Sequence, residues 1–446
     1  MFEIKLSADQ LVAGLLRLSE SEPVYFLDSC GVGHLGSHLL IAGVRPVETI
    51  EFSNAGPEDT LRILDEKFSQ NLAAIFTLSY DFGTKLTPTS FVARPPALDE
   101  PDVSLALFDV LIIHDYDSDR TSIVGDDEKS AVITETVHSQ SPEIDNFSRS
   151  PSRSSSVISN FTKAEYIAAV EQIHEAIRNG DTYQTNLTQQ LRCELSDGTT
   201  PQSIYWRLRR DHPAPFSAFL KRPESTVISA SPERFFRTTS NHEIESSPIK
   251  GTRRRGTTIE EDAQLRAELL SSAKDRAENT MIVDLVRNDL GRVCEFGSVT
   301  VEKLCDLEEH PTLFHLVSTV RGRLRGGITF SEIIRAVFPC GSITGAPKIR
   351  TMEIIDEIEN SSRGLSMGAI GVYLPESWEF GDAAIDAVFD LSVAIRTIVV
   401  RDGEGVFNVG GGIVIDSDAE TEYYESLLKA RALLTAIGSS LATTDE

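Results

Sequence analysis

The 446-residue chain carries 42 lysines and arginines against 68 aspartates and glutamates, a formal net charge of −26. Its 40% hydrophobic and 25% charged residues describe a folded globular protein, long enough for two or three average domains or one large one. So acidic a surface repels nucleic acid and anionic membranes, so neither is expected as a partner. The basic clusters Arg253–Arg255 and Arg321/Arg323/Arg325 then stand out as places to hold a small anion.

Five cysteines (Cys30, Cys193, Cys294, Cys305, Cys340) form no CxxC pair, which fits a reducing, cytoplasmic compartment. The start, Met1 to Lys5, lacks a basic segment followed by an apolar core, so no signal peptide is expected. No apolar run approaches the roughly 18 residues of a spanning helix.

Residues 1–120 read as strand-rich scaffold. Val24–Leu27, Leu39–Gly43, Ala74–Leu78 and the apolar run Leu105–Ile113 are strand candidates, and Glu58–Gln70 is a helix candidate. Residues 121–160 change character, acidic at first and then rich in serine and arginine around Pro151, and read as a flexible linker. A boundary near 160 opens a third region, 161–440. It starts with a capping box, Thr162 to Glu165, and a helix carrying Tyr166, Val170, Ile173 and Ile177. A strand over Thr182–Leu187 would send Gln184 and Asn186 to one face. Strands over Ser217–Leu220 and Thr226–Ser229 lead into Glu233.

Ser247-Pro248-Ile249-Lys250-Gly251-Thr252 comes next. Pro248 stiffens the chain and Gly251 permits a tight turn. Three arginines follow, and like charge disfavours an ammonium, so a partly buried Lys250 would present a neutral, nucleophilic amine. The plainer alternative is a solvated basic turn. Helices are expected over Glu260–Ser271 and from Lys274 to Asn288. On the second, Glu278 shares a face with Ile282 and Leu285. A carboxylate on that stripe needs a metal or an arginine, unless it lies at the solvated end. His315 precedes a strand at Val317–Val320, a position more often structural than catalytic.

Gly341 to Lys348 is a glycine-containing loop before a helix beginning near Pro347. Backbone N–H groups, hydroxyls and Lys348 would there surround a helix N-terminus, a carboxylate or phosphate site. The Walker A spacing is absent. Phe389–Thr397 reads as a strand with Arg396 near its end, and Val406–Ile415 as a strand interrupted by Gly410–Gly412, a sign of close approach to the backbone. On a last helix from Asp418 to Ile437, Glu422, Glu425 and Lys429 share a face, either solvated or holding a hard cation.

The motifs SPERF (231–235), PIKGT (248–252), RAENTMIVDLVRNDLGR (276–292), HPTLFHLVSTV (310–320), GSITGAPK (341–348), GAIG (368–371), AIRT (394–397), GGGIVIDSD (410–418) and ETEYYESLLKAR (420–431) resemble, in order, those of the chorismate-utilising enzymes. The N-terminal part resembles, more weakly, the matching region of the amidotransferase-linked members. The resemblance implies an α+β fold: one large domain of two packed antiparallel sheets flanked by helices. It implies Mg²⁺ held by Glu278 and Glu425, with Glu422 and Asp275 nearby. It also implies a grip on chorismate by Arg396, Gly411, Gly412 and Lys429, with Thr344 and His315 lining the pocket and Glu233 as general acid/base.

Water-adding relatives carry a lysine where this chain has Gln184, and anthranilate synthases carry alanine where it has Lys250. PIKGT resembles the aminodeoxychorismate synthase component I type, in which that lysine is the nucleophile. The implied reaction converts chorismate and ammonia to 4-amino-4-deoxychorismate, toward 4-aminobenzoate and folate. No GxCxG glutaminase elbow is present, so ammonia is expected from a separate glutamine amidotransferase or from solution. Anthranilate synthase component I or another chorismate-utilising activity is the alternative, and a non-catalytic chorismate-binding scaffold a remote one. Ser366, where relatives place an aromatic residue, and the long 375–386 segment depart from the pattern.

Overall fold

The computed structural model describes residues 2–33, 38–92, 94–139, 147, 156–309, 313–380 and 385–439. Two large sheets dominate it, and every strand pairing within them is antiparallel. The first runs Phe2–Ile4, Arg120–Gly125, Val110–Asp115, Leu39–Val44, Val24–Asp28, Phe216–Lys221, Thr226–Ser231, Thr397–Arg401, Glu404–Ile413, Gln184–Glu194, Gly345–Ala346. The second runs Ile249–Arg254, Leu313–Arg323, Glu243–Ser246, Arg234–Thr239, Ala387–Val393, Ala369–Tyr373, Ala73–Leu78, Val103–Phe108, Glu48–Phe52.

Strand alternation explains the layering. Along Ala73–Leu78, Ile75 joins a cluster with Tyr25, Ile41, Leu220 and Val399 from the first sheet, so it lies between the sheets. Phe76 and Leu78 point the other way and pack with Leu61, Ile282 and Ile333 of the outer helices. Phe26 and Leu40 likewise leave the space between the sheets to pack on Leu11, Ile204 and Leu433. Successive side chains on a strand face opposite sides, so strands buried on both faces read as continuous apolar runs.

Three expectations need correction. Leu105–Ile113 is two strands in different sheets, Val103–Phe108 and Val110–Asp115, with the chain changing sheet at Asp109. Phe389–Thr397 is likewise split: Ala387–Val393 is in the second sheet and Thr397–Arg401 in the first. Apolar periodicity cannot report a sheet change, because both halves remain buried. The 121–160 linker is the third. Residues 120–125 form a strand paired on both sides, and Asp127–Ser139 is a helix with Ile133 and Val137 buried. The acidic residues that suggested disorder are its solvent face. The serine-rich remainder, 140–146 and 148–155, lies outside the described residues, as do His310–Thr312 and residues 381–384.

The expected separation at 120 is not a structural one. Phe26 pairs with Phe219 in one sheet and Ile75 with Val372 in the other, so N-terminal strands are interleaved with later ones in both. The capping box at Thr162 forms as expected, with the Glu165 side chain accepting from the Thr162 backbone N–H. No described helix is long and apolar enough to cross a membrane.

Candidate active site

Two sheet-to-sheet crossings place the first site residues. The chain leaves the first sheet at Ser231 and enters the second at Arg234, which puts Glu233 at the corner. It returns between Val393 and Thr397, which puts Arg396 at another corner, in a left-handed conformation at φ 49°. The corners are stitched together: Val393 N–H donates to the Glu233 carbonyl at 3.0 Å, and Ala230 N–H to the Arg396 carbonyl at 3.1 Å.

Glu233 is 5% exposed, and its Oε1 has no hydrogen-bond partner among the described residues. Burial raises its carboxyl above the usual range, and the charge of Lys250 and the Ser342 hydroxyl work against that rise. Lys250 itself is half-buried on Ile249–Arg254, and its Nζ donates to the Ser342 carbonyl at 3.3 Å. Gly251, at φ +85°, is pressed against the helix junction; a Cβ there would lie 3.0 Å from both Asp275 Cβ and Leu269 Cδ1.

The neighbouring arginines are not the lysine's environment. Arg253 pairs with Glu268 at 3.3 Å and Asp275 at 3.1 Å, Arg254 with Glu261, and Arg255 with Asp262 at 2.8 Å. Their charge is compensated locally. The groups that feel Lys250 are carboxylates: Glu233, Glu278 and Glu425.

Gln184 is fully buried in the strand Gln184–Glu194, and neither atom of its amide has a hydrogen-bond partner among the described residues. The same holds for Thr185 Oγ1, Asn186 Nδ2 and Ser247 Oγ. Gly412 lies beside Gln184; a Cβ on it would sit 2.6 Å from Gln184 Nε2. On Gly411 a Cβ would be 3.1 Å from Lys429 Nζ and 3.4 Å from Glu422 Oε2. The glycine run thus lets strand Glu404–Ile413 approach both the amide and the last helix. Buried polar atoms left unpaired cost about 1–3 kcal/mol each, so a group of them marks a polar binding site.

Glu278, on the helix Ala273–Gly291, and Glu422 and Glu425, on Ala419–Ala436, approach the same region. Lys274 Nζ is 4.0 Å from Glu278 Oε1 and 3.7 Å from Glu422 Oε1. Ser417 donates to Glu422 at 2.7 Å. Lys429 pairs with Glu425 at 2.9 Å and donates to the Gly410 carbonyl at 3.0 Å. Burial raises the Glu278 carboxyl, against the charges of Lys250 and Lys274. Burial would also raise Glu425, but Lys429, Lys274 and Lys250 outweigh it and hold that carboxyl below the usual range.

The expected metal ligands are therefore not drawn into one cluster: no three His, Cys, Asp or Glu side chains stand together as one among the described residues. Two lysines serve the three glutamates instead: Lys274 lies between Glu278 and Glu422, and Lys429 pairs with Glu425. The donor set still fits a hard cation. It is made of carboxylate oxygens, and the Lys274 ammonium stands in for a cation near Glu278 and Glu422. Asp275 is occupied by Arg253.

Other expected residues take more structural parts. The Thr344 hydroxyl donates to the Cys340 carbonyl at 3.0 Å, and its own carbonyl accepts from Asn186 N–H at 2.8 Å. His315 is buried opposite Thr252, with Nδ1 2.8 Å from Thr252 Oγ1. Lys348, expected at an anion site, is instead committed to Asp289 at 2.6 Å and the Val337 carbonyl at 2.7 Å. Arg396 has its charge disfavoured by burial alone, and no carboxylate partner is seen for it among the described residues. Ser366 Oγ accepts from Asn408 N–H at 3.1 Å. Sequence reading missed the buried Glu359–Arg363 pair behind Asn186 and Ile343, because an i,i+4 acid–base pair in sequence looks like any solvated helix face.

Residues 22–435 match the model of the chorismate binding enzyme family, and the chain belongs to that family. Aminodeoxychorismate synthase component 1 of Bacillus subtilis is 37% identical over 373 residues, 82% of this chain and 76% of that protein. An aminodeoxychorismate synthase of Streptomyces pristinaespiralis is 45% identical over 272 residues, 61% of this chain but 36% of the relative, so the chain matches about a third of that longer protein. An anthranilate synthase component 1 of Haloarcula marismortui is 43% identical over 283 residues, 64% of this chain and 55% of that protein. Among solved structures, anthranilate synthase component I from Streptococcus pneumoniae superposes with a TM-score of 0.77 over 90% of this chain and 93% of its own, at 27% identity. These likenesses carry the two-sheet fold and the family.

Proposed function

We propose that the chain aminates chorismate at carbon 4, as an aminodeoxychorismate synthase component I. The observation that carries this reading is the nearness of Lys250 to Glu233: an amine that donates to the Ser342 carbonyl and whose charge is felt by a buried carboxyl, the Oε1 of which has no hydrogen-bond partner among the described residues. A direct-amination enzyme has no need of an amine there.

Lys250 Nζ adds to ring carbon 2, the ring double bonds shift, and the 4-hydroxyl departs as water with a proton from Glu233. A carboxyl raised by burial is suited to hold that proton near neutral pH. Ammonia then adds at carbon 4, the double bonds shift back, and Lys250 leaves carbon 2. The net change replaces hydroxyl by amine and keeps the enolpyruvyl group. Arg396, Lys429 and the Gly411–Gly412 backbone hold the substrate carboxylates, and the Gln184 amide, lacking a basic nitrogen, leaves water unactivated. Mg²⁺, held by Glu278 and Glu425 with Glu422, would neutralise substrate carboxylate charge. Ammonia comes from a separate glutamine amidotransferase, and the product feeds 4-aminobenzoate and folate synthesis in the cytoplasm.

The second reading, anthranilate synthase component I, is favoured by the Haloarcula relative. One experiment separates them: chorismate, Mg²⁺ and an ammonium salt, with products resolved before and after a 4-aminobenzoate-forming lyase is added. Product that becomes 4-aminobenzoate only with lyase supports the proposal. Anthranilate appearing directly, or isochorismate without ammonia, refutes it.

A further inference from the structure

Lys274 runs against local rules. It is the second residue of the helix Ala273–Gly291, where the dipole disfavours a cation. It also precedes Glu278 by four residues, the weaker orientation for a helical ion pair. A residue that breaks local preferences points to a gain elsewhere. That gain is visible across the helix: its ammonium lies 4.0 Å from Glu278 and 3.7 Å from Glu422 on the opposite helix. Both distances exceed a hydrogen bond, and the side chain is 52% exposed, so only charge holds it. Lys429 differs, being fixed by Glu425 at 2.9 Å and by the Gly410 carbonyl at 3.0 Å.

We propose that Lys274 is a displaceable counter-ion, bridging Glu278 and Glu422 until a divalent cation takes its place and the side chain swings into solvent. The proposal rests on the reading of these glutamates as metal ligands. Its consequence is competition: the lysine keeps two acidic helices together without metal and weakens metal binding by the same interaction. Cation affinity is set by Lys274 as much as by the carboxylates.

The test uses Mn²⁺ as probe, with the whole chain and no substrate, and reads unbound Mn²⁺ by electron paramagnetic resonance. Lys274→Met should bind Mn²⁺ about tenfold more tightly than wild type, a gain that shrinks at high salt. Lys274→Arg, which keeps the charge, should stay near wild type, and Glu278→Gln should lose most binding. Lys274 is half-exposed, so its two variants are safe to fold. Unchanged or weaker binding in Lys274→Met, with Glu278→Gln impaired, overturns the counter-ion role and leaves the metal reading standing. No saturable Mn²⁺ binding by wild type and Lys274→Met overturns both.

Discussion

Arg363 and Glu359 form a buried two-point ion pair, Nε to Oε2 at 2.9 Å and Nη2 to Oε1 at 2.7 Å, with side chains 2% and 4% exposed. The same guanidinium donates to the Ile343 carbonyl at 3.1 Å and the Asn186 carbonyl at 2.7 Å, and lies over the Tyr80 ring. Glu359 accepts from Thr188 N–H at 2.7 Å. One pair therefore fixes the Gly341–Thr344 turn against the strand that carries Gln184. Arg363→Met strands a buried carboxylate and should cost about 3–5 kcal/mol by chemical denaturation, whereas Arg363→Met with Glu359→Met should cost less than the single change. A single variant within about 1 kcal/mol of wild type would show the pair to be energetically idle.

Gly412→Ala places a methyl 2.6 Å from Gln184 Nε2. The amide must move, and kcat/KM for chorismate should fall by about tenfold or more, since small misplacements at a binding site are costly. Gly291→Ala, where an added Cβ meets nothing within 4 Å, is the matched control and should keep wild-type kinetics.

Lys250 as nucleophile predicts a covalent species when chorismate and Mg²⁺ are given without ammonia, because the first displacement can proceed and the second cannot. Intact mass after rapid denaturation should reveal it, and peptide mapping should locate it on the Lys250 segment. Lys250→Arg should abolish both adduct and turnover, guanidinium remaining charged at any workable pH. Lys250→Ala can retain slow direct amination. Wild-type turnover in Lys250→Arg across a range of ammonium concentrations would return Lys250 to a basic turn residue.

On the proposed reading of Glu278 and Glu425 as Mg²⁺ ligands, Glu278→Gln and Glu425→Gln each remove a formal charge from the site, and the Mg²⁺ concentration for half-maximal activity should rise by about tenfold or more. Asp275→Asn should matter less, since Asp275 is committed to Arg253. Wild-type activity of Glu425→Gln at limiting Mg²⁺ would make the helix face merely solvated.

Asp81 supplies a pH prediction away from the chemistry. Burial pushes its carboxyl from the ordinary 3.8 up to about 6, against the Gly364 and Arg363 N–H groups that it accepts. The folded state thus favours the protonated acid. That contribution is fully present below 3.8 and is lost as pH rises through about 6. Asp81→Asn cannot ionise, so its stability relative to wild type should increase from pH 4 to pH 7, by on the order of 1–3 kcal/mol. A pH-independent difference between the two would remove Asp81 as the titrating group.

Local order was legible in the chain wherever the signal is short-range. The capping box at Thr162, the helix carrying Glu278 and the last helix lie where side-chain periodicity and end signals put them, while the strand carrying Gln184 forms but runs on to Glu194, beyond the expected end at Leu187. The ordered motifs also carried the family and, with it, the two-sheet fold. Tertiary structure alone decided three other things. It showed that Asp109 and Arg396 stand where the chain changes sheet, since a strand buried in either sheet reads alike in sequence. It turned 120–139 from linker into strand and helix, because two buried apolar residues on a helix, Ile133 and Val137, outweigh an acidic exposed face. And it assigned the charges to partners. Arg253–Arg255 and Lys348 are spent on carboxylates distant in the chain or across a turn, while Lys250 and Lys274 are left facing Glu233, Glu278 and Glu422. Coulomb interactions depend on distance in space and on burial, and a one-dimensional sequence specifies neither.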